Sequence, residues 1–286
     1  MAKVSKGKEG DASAAPKAPK GAKSVTHADS GSVNLYSVSG EVTGSVPLPA
    51  AFRQTLRPDL IRRDVTASRA NRRQPYGPSP TAGIRHAAAQ WGKGRGTARV
   101  MRMTQGATAV ESPNNVGGRR AHPPRVEKVW AKKVNVKERR AARAAALAAT
   151  SHEQIVRGRG HRFTEGVTVP VVVDDAIEEI VATTEVVKTL QALGLYADVV
   201  RAKEGAHERA GRGKMRGRRV RVPSSLLIVI GSHKGLDLAA RNLPGVDVID
   251  VAQLNTELLA PGGEQGRLTL FSKSAIQQIG SAEAFQ

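Results

Sequence analysis

Residues 167–194 read VTVPVVVDDAIEEIVATTEVVKTLQALG. The β-branched run Val167–Val173 suits a strand buried on both faces of a parallel sheet. Pro170, which has no N–H for a ladder, belongs at an end or an edge of it. Asp175–Leu193 then carries helical character, broken near Thr183-Thr184, with Gly194 as its stop. The acids Asp174, Asp175, Glu178 and Glu179 fall in the first helical turn. There they complement the positive end of a helix dipole, which accounts for them better than acid/base catalysis does. Working outward, Tyr196–Val200, Leu226–Ile230, Asp247–Val251 and Leu268–Phe271 read as further strands, interleaved with helices near Gly235–Asn242, Ala252–Leu259 and Ser272–Ile279. Alternation of this kind builds an α/β layered domain with a mostly parallel sheet.

On the N-terminal side, Asn135 stands three residues before Glu138 and opens an Ala-rich stretch, which predicts a capped helix over about 136–149. Val33–Val46 alternates apolar and polar residues around Ser39-Gly40 and predicts a hairpin ended by Pro47 and Pro49. From Pro58 to Arg72, Leu60, Ile61, Val65 and Ala67 recur at helical spacing while Arg62, Arg63, Arg69 and Arg72 project outward. Residues 1–32 lack periodicity and large apolar groups and predict a disordered basic tail, leaving 33–286 as the globular part.

That globular part is interrupted. Residues 74–133 hold eight glycines, six prolines and only two acids, Glu111 and Glu127, and no window keeps a helical or strand period. Such a length without regular structure is functional or disordered. Tyr76, Ile84, Trp91, Val100, Met101, Met103 and Trp130 are too sparse there for a core but suit packing on bases or ribose. An extended loop is therefore expected over 74–133.

The chain has 286 residues and net charge +20. Residues 62–137, with 17 basic against 3 acidic side chains, contribute +14, and residues 201–221, with 9 against 2, contribute +7. Blocks almost free of acids call for a polyanion, with phosphate the fitting partner. The second block, Arg201–Arg221, lies between two of the expected strands and should project at a sheet edge as a Gly-rich loop. The absence of cysteine removes disulfides, Cys-ligated zinc and thiol nucleophiles and is compatible with a reducing cytoplasm. No run reaches the roughly 18 apolar residues of a membrane span, and no signal segment follows the N-terminal lysines, so a soluble, unexported protein is expected.

Catalytic patterns fail in context. Gly92-Lys93-Gly94-Arg95-Gly96 and Gly211-Arg212-Gly213-Lys214-Met215-Arg216-Gly217 lack the strand before and helix after that a dinucleotide fingerprint requires. The seven histidines show no metal-ligand spacing, and Ser224-Ser225 has no nucleophile elbow. No enzyme, no catalytic residue and no metal site is expected.

Five strings, in order, carry a resemblance: Ser68–Gly77 (SRANRRQPYG), Trp91–Gly96 (WGKGRG), Arg120–Pro124 (RAHPP), Arg209–Arg219 (RAGRGKMRGRR), and Leu259–Gly263 (LAPGG) ahead of Gly266-Arg267-Leu268. From about Val33 to Gln286 the chain closely resembles the large-subunit ribosomal protein L-four family in its archaeal and eukaryotic form. The resemblance implies an archaeal-type member, since the long C-terminal extension of eukaryotic relatives is not seen. The resemblance implies a structural constituent of the large ribosomal subunit and a primary rRNA binder contacting several rRNA domains, in the cytoplasm. Its loop would form part of the polypeptide exit tunnel wall.

Carried onto this chain, the tip lies around Gln90–Met103, with Gln90, Trp91, Lys93, Arg95, Arg99 and Met101 tunnel-proximal. The rRNA-binding set is Arg69, Arg72, Arg73, Arg85, Lys93, Arg95, Arg99, Arg102, Arg119, Arg120 and Arg125 in the first block, and Arg212, Lys214, Arg216, Arg218 and Arg219 in the second. Implied partners are large-subunit rRNA, neighbouring large-subunit proteins and the nascent polypeptide, with no membrane and no small-molecule substrate. No cofactor is expected, although magnesium or potassium ions held by the rRNA would lie nearby. The alternative is a free-standing RNA-binding protein or RNA chaperone.

Overall fold

The computed structural model describes residues 31–281. The tail expected at 1–32 lies outside them except for its last two residues, and Ser32 already belongs to the first strand. In chain order the elements are β1 (Ser32–Tyr36), β2 (Val42–Pro47), α1 (Pro58–Asn71), β3 (Ala88–Gln90), β4 (Met101–Met103), α2 (Val136–Thr150), α3 (Glu153–Gly158), β5 (Val171–Val173), α4 (Thr183–Ala192), α5 (Tyr196–Glu204), β6 (His207–Glu208), β7 (Val220–Arg221), β8 (Leu227–Ile230), α6 (Leu236–Ala240), β9 (Asp247–Asp250), α7 (Thr256–Leu259), β10 (Thr269–Ser272) and α8 (Lys273–Ser281). Two compact units result: a body formed by 31–67 and 134–281, and an excursion, Ser68–Lys133.

The body holds a six-stranded sheet in the order β2-β1-β5-β10-β8-β9. Only the β1–β2 hairpin is antiparallel, and every other pairing is parallel. Successive side chains point to opposite faces of a strand, so the central strands feed two cores. Val172, Leu227, Val229 and Phe271 pack with α1, α2 and α8 on one face. Val171, Val173, Ile228, Ile230 and Leu270 pack with α4, α5 and α6 on the other. Each fully buried Leu, Ile or Phe contributes about 1.5–3 kcal/mol through the water it leaves. In α2 the run Ala144–Thr150 is buried on every side, and its small side chains let neighbouring elements approach closely.

Most expected elements appear within a residue or two. Pro170 sits immediately before β5 and follows a cis peptide bond, so it marks the strand's end, while β5 itself lies inside the sheet. Several readings need correction. Tyr196–Val200 is helix, the start of α5, because Leu195, Val199 and Ala202 recur at helical spacing and are buried together. The helix expected over Asp175–Leu193 divides into a 3-10 turn, Asp175–Glu179, and α4. The second basic block follows α5 and forms its own two-stranded sheet, β6 with β7, instead of a loop between two strands of the main sheet. At α2, Asn135 occupies the cap position without a side-chain cap bond. Glu138, expected to complete a capping box, instead receives Arg63 Nη1 at 3.0 Å.

Candidate nucleic-acid interface

Within the excursion the absence of strand expected from its sequence does not hold. β3 and β4 pair antiparallel, with Ala88 opposite Met103 and Gln90 opposite Met101. A third leg joins where Val110 N donates to Met101 O at 2.8 Å and Met103 N donates to Thr108 O at 3.0 Å. Three-residue strands produce no alternating pattern long enough to notice in a sequence. The connection beyond Gln90 turns on Gly92, Gly94 and Gly96, all with positive φ and no atom within 4 Å of where a Cβ would stand. That combination leaves a bare, open backbone that another polymer can approach closely.

The proposed tip residues gather around this turn. The guanidinium groups of Arg95 and Arg102 both lie over the Trp91 ring, 5.1 and 5.2 Å from its centre. Arg102 is held there by the carbonyls it donates to, Ala107 at 2.6 Å and Ala98 at 3.2 Å, so it pins the turn as well as flanking the ring. Gln90 Nε2 donates to Arg99 O at 3.3 Å. Lys93, Arg95, Arg99 and Met101 are exposed. Arg85 donates to Thr81 Oγ1 at 2.7 Å and Ser79 Oγ at 3.0 Å, while Arg119, Arg120 and Arg125 project into solvent.

The aromatic residues nearer the ends of the excursion pair with each other across more than fifty positions. Tyr76 and Trp130 stack at 6.0 Å with planes 16° apart. Arg73 sits 4.2 Å and the Lys128 ammonium 4.5 Å from the Trp130 ring. Lys132 N donates to Asn71 Oδ1 at 2.8 Å. Each cation over an exposed ring is worth about 0.5–1 kcal/mol, so together these contacts clasp the outgoing and returning legs. Arg69 and Arg72 lie exposed beside that clasp in the chain. Lys128 was not among the residues singled out from the sequence, and only its pairing with Trp130 reveals it.

The second arm is the β6–β7 hairpin, extended by Arg209 N donating to Arg219 O at 2.9 Å and capped by a 3-10 turn over Arg212–Arg216. Arg212, Lys214, Arg216, Arg218 and Arg219 are all exposed. Among the described residues the one carboxylate paired with them is Glu208, 3.5 Å from Arg219. Arg201, counted in the same basic block, is instead spent at the root of the arm. It donates to both oxygens of Asp198, at 2.8 and 3.2 Å, and to Ser224 O at 3.0 Å. The fully buried Asp198 also meets His161 Nδ1 at 2.9 Å and accepts from Arg162 N at 3.0 Å. Burial pushes the Asp198 carboxyl up, but the bonds from His161, Arg201 and the amide outweigh it and hold the group below the ordinary aspartate value.

At the carboxyl ends of β5, β10 and β8, where open α/β sheets commonly hold ligands, the protein has placed its own anion. Glu178 accepts from Gly231 N at 2.8 Å, Ser232 Oγ at 2.9 Å and Ser274 Oγ at 2.8 Å. Burial again works against the charge, and this set of donors overcomes it, leaving the carboxyl below its usual value. Asp175 accepts Ser274 N at 2.7 Å and so caps α8, a different helix from the one its sequence position suggests. Dipole complementarity is thus present, aimed across the fold.

The string ending in Gly266-Arg267-Leu268 has an equally internal role. Arg267, 1% exposed, donates to the carbonyls of Ser225 at 2.9 Å, Leu258 at 3.0 Å and Gly245 at 3.2 Å, and to Asp247 Oδ2 at 2.5 Å. Arg159 donates to the carbonyls of Glu264 and Pro261, and burial together with the nearby Arg267 charge lowers it to about 10. At Gly266, φ is +87° and a Cβ would stand 2.7 Å from Ile155, so only glycine fits.

A parallel-sheet body that fills its own strand-end crevice, together with an excursion and a β6–β7 hairpin rich in exposed cations, has the make-up of a scaffold that presents positive charge. Residues 46–282 match the model of the ribosomal protein L4/L1 family, and the chain belongs to that family. It is 50% identical over 246 residues to large ribosomal subunit protein uL4 of Archaeoglobus fulgidus, covering 86% of this chain and 97% of that one. The namesake from Methanococcoides burtonii is likewise 50% identical over 246 residues, 86% and 96% of the two chains. That from Methanosphaera stadtmanae is 44% identical over 248 residues, 87% and 96%. Among the described residues no helix is long and apolar enough to cross a membrane, and no cluster of His, Asp and Glu could hold a metal ion.

Proposed function

We propose that this protein is a structural constituent of the large ribosomal subunit in the cytoplasm. It binds rRNA through the excursion and the β6–β7 arm, with neighbouring large-subunit proteins around it. The observation that carries the reading is the tip, where two guanidinium groups lie over a tryptophan ring at an open glycine turn with no carboxylate in residues 90–103. Arginine planes and an indole ring stack on splayed bases, and the surrounding cations neutralise phosphates and release their counterions. The turn Gln90–Met103 lies at the wall of the exit tunnel and meets the nascent polypeptide. The protein needs no cofactor, and the magnesium or potassium ions near it belong to the rRNA. As a structural component it catalyses no reaction.

Replacing Lys93, Arg95, Arg99, Arg119, Arg120 and Arg125 by glutamine should flatten the dependence of log affinity for large-subunit rRNA on log salt by about four to five, at roughly 0.7–0.9 per phosphate contact. The variant should also be lost from large subunits during a high-salt wash in sedimentation, where the parent stays. Equal retention of the two would defeat the reading, and recovery of the parent only as free protein would favour an RNA chaperone. A crosslinker at position 93 or 95 should capture a stalled nascent chain, and capture of distant RNA alone would remove the tunnel assignment.

A further inference from the structure

The segment 138–200 carries net charge −2, which conceals a cluster of cations that folding assembles at its beginning. The first two turns of α2 hold Lys137, Arg139, Arg140 and Arg143, and Arg63 of α1 reaches Glu138 at 3.0 Å, which brings Arg62 and Arg63 of α1 to the same part of the body. Of the acids there, Glu138 is taken by Arg63, and the buried Asp64 accepts Thr256 Oγ1 at 2.5 Å and offsets part of the Arg143 charge. Arg62, Lys137, Arg139 and Arg140 remain exposed, and among the described residues no carboxylate lies within ion-pair distance of them.

This arrangement opposes what helix physics favours. Cations in the first turns of a helix meet the positive end of its dipole. Residues three and four apart are neighbours on the helix surface, so Arg139 and Arg140 both crowd Arg143. After burial and the compensating Asp64, their repulsion is a further cause of the lowered proton affinity of the Arg143 guanidinium. A surface that accumulates repulsion when the protein is alone is relieved by an external anion. An acidic protein partner fits less well, because protein interfaces have an apolar centre and the large apolar residue exposed on these turns is Val136 alone.

We propose that Arg62, Lys137, Arg139 and Arg140 form a further phosphate-binding surface, carried on the folded body outside both the excursion and the β6–β7 hairpin, that seats the backbone of the same rRNA. The inference rests on the rRNA reading above. In the chain, α1 leads into the excursion and α2 follows it, so this surface lies on the elements where the chain leaves the body and returns to it. Because both helices are packed into the core, the cations are positioned before RNA arrives and little order has to be gained on binding.

The test uses the full chain with Lys137, Arg139 and Arg140 changed to glutamine, and binding to large-subunit rRNA measured over a salt series. The salt slope should fall by about two to three, with the melting temperature unchanged or raised as like-charge repulsion is removed. The charge-preserving pair R139K/R140K should keep the parent's slope. A parent slope retained by the glutamine variant overturns the inference while leaving the arms as the interface, and it is the result that a surface for an acidic protein would give. A slope lowered equally by R139K/R140K also overturns it, since loss at constant charge would not be phosphate neutralisation. If the parent itself shows no salt-dependent rRNA binding, the rRNA reading fails, an outcome separable from either of these.

Discussion

In the body, three arginines turn inward. Arg267, Arg159 and Arg201 are consumed by backbone carbonyls and by the carboxylates of Asp247 and Asp198. In the excursion, Lys93, Arg95 and Arg99 stand exposed around an open turn, and the guanidinium groups that are engaged lie over rings, as Arg73 does on Trp130, or bond to exposed hydroxyls and carbonyls, as Arg85 and Arg102 do. The same side chain therefore serves opposite ends according to burial. Out of water, a guanidinium must satisfy its donors inside the protein or destabilise it. In water it keeps its donors for a phosphate. The contrast teaches that counting cations along a sequence overstates the charge available to a partner in one region and understates it in another.

The contrast is broken most directly at Asp198. D198A would leave His161 and Arg201 facing an empty buried position and should destabilise the body by about 3 kcal/mol, at the lower end for a broken buried pair because Arg201 keeps partial contact with water. Urea unfolding measures it, and a loss below about 1 kcal/mol would mean that the network does not hold the root of the second arm. The excursion's salt-dependent binding should be unaffected.

A smaller effect comes with acid. Asp198 and Glu178 are both held below their ordinary values in the folded protein, so their contributions are fully present above about pH 4–4.5 and are lost as pH falls through the lowered values. The urea midpoint should drop between pH 5 and pH 3, and D198N/E178Q should show a shallower drop than the parent. Parallel profiles would assign acid sensitivity to other groups.

The smallest effect sharpens the boundary between the regions. Trp130→Ala removes a stacked ring and two cation contacts, worth about 1–2 kcal/mol locally. Limited proteolysis of the RNA-free protein should cut within 74–133 while the body persists, because ordering a bare loop costs about 1–2 kcal/mol of backbone entropy per residue. In the parent the cuts should fall between the clasped legs. In the variant they should spread into residues 74–77 and 124–130 without changing the unfolding midpoint of the body. Protection of the whole excursion in both would mean that it holds its order without RNA.

Much of the fold was legible because it rests on short-range periodicity. The hairpin at Val33–Val46, the helices near 58–72 and 136–149, and the strands at 226–230, 247–251 and 268–271 all follow from apolar spacing. Tyr196–Val200 was misread because β-branched neighbours look like strand when the helical partners Leu195 and Ala202 lie just outside the window. For the interface, the bare glycine turn and its cations were visible as composition. The Trp130 clasp was not, since its members are 57 residues apart between Arg73 and Trp130 and no local pattern couples them.

The amino-acid sequence by itself determined that this chain is a parallel-sheet α/β protein with two acid-poor basic stretches, because hydrophobic period and charge density are properties of neighbours along the chain. Tertiary structure alone decided which charges stay in solvent. It turned Arg201 and Arg267 inward, used Glu178 to fill the strand-end crevice, and tied Arg63 of α1 to Glu138 at the start of α2. The reason is that desolvation and Coulomb energy depend on distances across the folded chain, and those distances exist only once the cores have closed.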